Sequence, residues 1–108
     1  MIVDFSEIAE RAIPAFKGGE GSFQTRLFSD AAGSKFMKGH LEPGCSIGCH
    51  THVGNCEVVF VLSGEGSVLY DGEEYPLKAG QCHYCPEGHS HSLRGGGKEG
   101  ISFYACVI

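Results

Sequence analysis

His50 and His52 stand two residues apart in the segment Gly48-Cys49-His50-Thr51-His52. In an extended chain, side chains at that spacing share one face of the pleat, so both imidazoles point the same way. Glu57 follows past the short Val53-Gly54-Asn55 turn, and a strand returning antiparallel can set its carboxylate beside the two rings. His91 lies farther on, after the tight Pro86-Glu87-Gly88 turn. Three neutral imidazoles and one carboxylate suit one borderline divalent transition metal ion: iron, manganese, nickel, cobalt or zinc. Four protein donors leave about two positions open on an octahedral ion. Open positions are what a substrate or an oxygen molecule needs.

Strands must position these groups. Runs rich in β-branched and aromatic residues alternate with turn signals over Phe23 to Phe28, Lys35 to Leu41, Ile47 to His52 and Cys56 to Leu62. They continue over Gly66 to Tyr70, Glu73 to Leu77, Gln81 to Cys85, Ser90 to Arg94 and Ile101 to Val107. Asp71-Gly72 is a two-residue hairpin signal, and Pro76 marks the strand after it as an edge. Many short strands at close, even spacing predict a sandwich or barrel. Only the start reads as helical: Asp4 can cap, with Glu7 three residues on completing a capping box, and Phe5 to Arg11 form a short helix that Pro14 stops.

The residues between Gly44 and Gly95 also carry a family resemblance. The first segment reads Gly44, five residues, His50-Thr51-His52, four residues, Glu57, six residues, Gly64. The second reads Gly80, five residues, Pro86-Glu87-Gly88, two residues, His91, three residues, Gly95. This order and spacing resembles the two characteristic motifs of the cupin superfamily. Two positions depart from the pattern: the last, usually Asn, is Gly95, and the one after Gly80, often Asp, is Gln81. Neither departure removes a ligand. The resemblance implies an all-β double-stranded β-helix, or jelly-roll barrel, as one domain over residues 1–108, with the metal on His50, His52, Glu57 and His91.

The resemblance to small cupins further implies an enzyme acting on a small polar metabolite, of dioxygenase, sugar-phosphate isomerase, decarboxylase or lyase type. His83 and Tyr84 alternate on one strand, so one of them points inward, where it could serve as general acid or base. Gln24, Arg26, Lys38 and His40 lie on strands placed near the barrel; each either contacts a substrate or belongs to a solvated strand face. The alternative to an enzyme is a non-catalytic module that binds or senses a sugar or carboxylate. Several polar groups converging on the open metal positions would favour catalysis. A cavity lined by Phe, Val and Leu would favour binding.

Composition narrows the partners. The chain has 108 residues, 42% of them hydrophobic, and a formal net charge of −5. No basic run marks a nucleic-acid footprint, and no apolar run is long enough to span a membrane. The N-terminus lacks the basic and apolar regions of a secretory signal, so the expected location is the cytoplasm, and the six cysteines are expected to be mainly reduced. Cys82 and Cys85, three apart on a strand, should face opposite ways, and Cys49 and Cys56 should face away from the metal ligands beside them. Val58-Val59-Phe60-Val61-Leu62 is apolar on both faces of its pleat. Another segment or a partner must cover the second face, which favours a homodimer.

Overall fold

The computed structural model describes residues 1–108. Nine strands make up the chain: β1 (Arg11–Pro14), β2 (Ser22–Ser29), β3 (Lys35–Leu41), β4 (Ser46–Thr51), β5 (Glu57–Tyr70), β6 (Glu73–Lys78), β7 (Cys82–Cys85), β8 (Ser90–Gly95) and β9 (Ile101–Val107). Every pairing is antiparallel, in the order β1-β2-β3-β9-β5-β8-β4, with β6 and β7 also paired to β5. The result is an all-β jelly-roll barrel.

The strand β5 joins the two sheets. Its first half, from Glu57, pairs with β7 and β9, and its second half, to Tyr70, pairs with β6 and β8. Pairing with β9 shifts register between Val61 and Ser63, the kind of bulge that bends a strand from one sheet into another. Sequence patterning divides this stretch at Ser63-Gly64; the bulge carries the strand through. Asp71 (φ 47°) and Gly72 (φ 85°) form the β5–β6 turn with both central residues left-handed, as a tight hairpin requires. β6, which holds Pro76, pairs only with β5 and is an edge strand.

The N-terminus corrects the expected helix. Asp4 caps as anticipated, its carboxylate accepting from the Ser6 amide at 3.0 Å, but only a single 3-10 turn forms at Phe5–Glu7. Ile8 is already extended (φ −103°, ψ 127°). Helices this short are costly to nucleate, and Arg11–Pro14 instead pairs with β2, a strand that sequence patterning misses. The Arg26 guanidinium donates to the Ile8 carbonyl at 2.5 Å, holding the turn against the outside of β2. No helix is long and apolar enough to cross a membrane.

Alternate residues of β2, β3, β9 and β5 fill the barrel: Phe23, Leu41, Phe103, Ile101, Val59 and Val61 are all buried. Phe23 and Phe103 stack with centroids 6.0 Å apart. Gly39 makes room for them, since a Cβ there would lie 2.7 Å from both rings. The two departures from the cupin motifs have local causes. A Cβ on Gly95 would sit 2.3 Å from the Leu41 carbonyl oxygen, so no side chain fits the position usually held by Asn. Gln81 Oε1 accepts from the Lys78 amide at 3.0 Å, so the amide serves the turn where Asp is usual.

Candidate metal centre

The four motif residues meet. His50 on β4 lies opposite His91 on β8, and His52, just past the end of β4, continues that pairing by donating its amide to the His89 carbonyl. A bulge on β4 between Ile47 and His50 places both residues inward although they are three apart. Glu57 opens β5 alongside. Nε2 of His91 is 3.0 Å from Nε2 of His52 and 3.1 Å from Nε2 of His50. Oε1 of Glu57 is 2.9 Å from His91 Nε2 and 3.2 Å from His52 Nε2. One donor atom from each of the four lies within 4.8 Å of every other.

The outer ring nitrogens explain this orientation. His50 Nδ1 donates to the Gly48 carbonyl at 2.8 Å and His52 Nδ1 to Asn55 Oδ1 at 2.7 Å. His91 Nδ1 meets His83 Nε2 at 2.9 Å. When the protons sit on Nδ1, each Nε2 is left with a bare lone pair on the Glu57 side, the state in which all four groups can ligate one ion. Burial pushes the His50 ring below its ordinary pKa, so it stays neutral. Burial by itself raises the Glu57 carboxyl, but with no ion present a proton on His91 Nε2 and positive charge on the surrounding rings outweigh it and hold Glu57 below the usual carboxylate range, so the carboxylate is drawn to positive charge at the place an ion would supply it. Four electron-pair donors facing one another repel unless a cation sits among them. Two donors each about 2.1 Å from one ion, at right angles, lie ~3 Å apart, which matches the separations here. The donor set therefore fits a divalent transition metal ion.

The remaining candidates separate by strand parity. On β7, His83 is buried and Tyr84 is 55% exposed. The structure thus corrects the expectation for Tyr84: it points to the outer surface and is not brought to the cluster. His83 is brought close, but behind His91 rather than into the cavity. Burial lowers its pKa to about 4, leaving a neutral ring that can accept from His91 Nδ1. Cys85 is buried on the same side as His83 while Cys82 is exposed on the other. His83, Cys85 and His91 form a second close group. Its donors are already engaged, Cys85 Sγ with the His89 carbonyl at 3.6 Å and His83 with His91. Burial also pushes the Cys85 thiol up to about 11. All six cysteines are free, and Cys49 is exposed, pointing away from His50.

The cluster opens on a cavity of about 380 Å³. Its wall is largely apolar, including Phe23, Ile47, Val59, Leu93 and Phe103, while Lys17 and Lys35 are the basic residues lining it. Gln24, Arg26, Lys38 and His40 do not line it. On β2 the inward residues are Phe23, Thr25 and Leu27, so sequence reading picked the outward set and missed Thr25. His40 instead bonds Ser102 Oγ at 2.6 Å and lies 3.2 Å from Glu42.

Comparison with known proteins agrees with this geometry. The family model for the cupin domain matches residues 37–107. The chain belongs to the cupin family. This cupin is 34% identical, over 113 aligned residues, to an oxalate-binding protein of Thermotoga maritima, an alignment covering 100% of this chain and 93% of the relative. It superimposes with a TM-score of 0.87 on a crystal structure from Thermotoga maritima described as a predicted oxalate decarboxylase, at 32% identity and covering 100% of this chain and 98% of the other. A polyketide cyclase of Streptomyces resistomycificus shares the fold at 17% identity, with a TM-score of 0.79, over 99% of this chain and 78% of its own.

Proposed function

We propose that this cupin holds one divalent transition metal ion on His50, His52, Glu57 and His91 and uses it to capture a small carboxylate-bearing molecule. The observation that carries this reading is the convergence of three bare Nε2 atoms and one carboxylate on an apolar cavity. A bound ion supplies a Lewis-acidic centre with free positions for anionic oxygens. Asn55 and the Gly48 carbonyl fix the tautomers of His52 and His50, and His83 is a positioning residue for His91. Lys17 and Lys35 attract an anion to the cavity of a chain whose net charge is −5.

Binding is preferred to turnover because the cavity offers no carboxylate or imidazole beyond the four proposed ligands. Its only lining carboxylate is Glu57, and its only lining imidazoles are the three metal ligands. The oxalate-binding relative supports a carboxylate rather than a sugar. Protein purified without chelator should carry close to one ion per chain by elemental analysis, and the His50→Ala/His52→Ala double variant should carry none. Titration calorimetry should show oxalate binding to loaded protein and not to stripped protein. An ion retained by the double variant, or oxalate binding indifferent to stripping, overturns the assignment.

A second reading is decarboxylation, favoured by the solved relative described as a predicted oxalate decarboxylase. Release of carbon dioxide and formate from oxalate by loaded protein, absent in the double variant, would make the protein an enzyme.

The outer face of β5, β7 and β9 supports a homodimer. Phe60 (48% exposed), Leu62, Tyr84 and Tyr104 form an apolar patch there, and nothing in the chain covers Phe60 and Leu62. Phe5 stacks on Tyr104 at 5.4 Å, which leaves the rest of the patch for a second copy.

A further inference from the structure

Val107, buried at the end of β9, pairs with Lys35 on one side and with Glu57 on the other. Residues paired across adjacent strands point to the same face. Lys35 therefore stands in one inward-facing row with a proposed metal ligand, two strand spacings or about 10 Å away along the row. Lys17 is tied to the other ligand-bearing strand. Its backbone is left-handed (φ 56°), and its carbonyl packs so closely on Gly48 that a Cβ there would collide with the oxygen. Gly48 in turn accepts from the His50 ring. Both lysines are thus fixed by backbone contacts against the strands of the metal centre, and both line its cavity.

Neither lysine has a carboxylate partner, although the chain holds 13 acidic residues against 8 lysines and arginines. The ion pairs that form are all made by histidines. The two ammonium groups belong to the open end of the cavity, where Lys17 and Lys35 are exposed and Leu27 (41% exposed) and Val53 (81% exposed) stand beside them. A visitor can reach them there without entering the packed wall. Oxalate on the ion cannot, because its two carboxylates are joined by one bond and both fall on the ion's open positions.

We propose that Lys35 and Lys17 select a dicarboxylate longer than oxalate: one carboxylate on the ion, a short hydrocarbon spacer past Leu27, and the second carboxylate on the ammonium groups at the opening. This rests on the carboxylate-binding reading above and adds the end of the molecule that does not touch the ion. Lys35 and Lys17 are then specificity-determining residues, since they reward only an anion that reaches them.

The test is calorimetry on metal-loaded protein with oxalate, succinate and glutarate. Long-range attraction by the lysines acts on all three dianions alike, so oxalate is the control for it. Replacing both lysines by methionine, Lys17→Met/Lys35→Met, keeps the stems and removes the charges. The tighter of succinate and glutarate should then lose roughly fivefold more affinity than oxalate does, the upper end of what an exposed ion pair contributes, and Lys17→Arg/Lys35→Arg should keep wild-type affinity. If the longer dicarboxylates do not bind, or if all three lose affinity equally in the methionine variant, this proposal fails while the carboxylate-binding reading stands. If oxalate itself does not bind, or binds equally to stripped protein, the carboxylate-binding reading fails and takes this proposal with it.

Discussion

His91 is the member of the proposed ligand set whose two ring nitrogens both face other imidazoles, His52 and His50 on one side and His83 on the other. Partners behind a ligating histidine typically govern metal affinity by tenfold to a hundredfold. His83→Ala should therefore weaken metal binding by roughly that factor, measured by competition with a chelator, while circular dichroism shows the fold intact; His83→Gln, which keeps an acceptor, should recover part of the loss. His83 also sets a pH dependence for stripped protein. Its pKa is about 6.5 when unfolded and about 4 when folded, so the unfolded chain takes up a proton first. Stability from this ring is complete above pH 6.5 and lost as pH falls through about 4. The change amounts to roughly 3 kcal/mol, and denaturation midpoints measured across that window should fall accordingly. At this scale the convergence of the four residues was legible, because His50 and His52 sit at strand period and Glu57 and His91 at motif spacing. The burial of Thr25 was not: nothing in its type separates it from a surface threonine, and its place inside appears only once the parity of β2 is known.

At the scale of elements, strands were legible wherever alternation and turn signals agreed, as in β3, β9 and the Asp71-Gly72 hairpin. They were illegible where long-range pairing decides. Arg11–Pro14 is too short and too polar to declare itself a strand, and only β2 makes it one. The continuity of β5 through Gly64 rests on a bulge against β9, which local sequence does not encode. Gly95 provides a direct test of close packing. Gly95→Asn restores the residue usual in cupins yet drives a Cβ toward the Leu41 and Glu42 carbonyls, 2.3 and 2.5 Å away. The expected outcome is a loss of about 1–3 kcal/mol, typical of overpacking, seen as a lower denaturation midpoint.

For the molecule as a whole, the apolar outer patch predicts association. Phe60→Lys or Leu62→Lys should shift the sedimentation coefficient from dimer to monomer and leave metal content unchanged. The stretch Val58 to Leu62 reads as covered on both faces, whereas within the single chain Phe60 and Leu62 stay exposed on the outer one.

The path of β5 has a consequence for how the protein matures. Glu57 begins the strand that pairs with four others, and the histidines come from β4 and β8, remote in sequence. The proposed ligands come from three neighbouring strands, β5, β8 and β4, but His91 lies 41 residues after His50, so a nascent chain that has not yet made β8 offers an ion at most three of the four. On the proposed ligand set, full ligation waits until β8 has paired between β5 and β4, with the ion arriving through the cavity beside them. A chain made in metal-poor medium should accordingly accumulate as a folded vessel that can be filled afterwards.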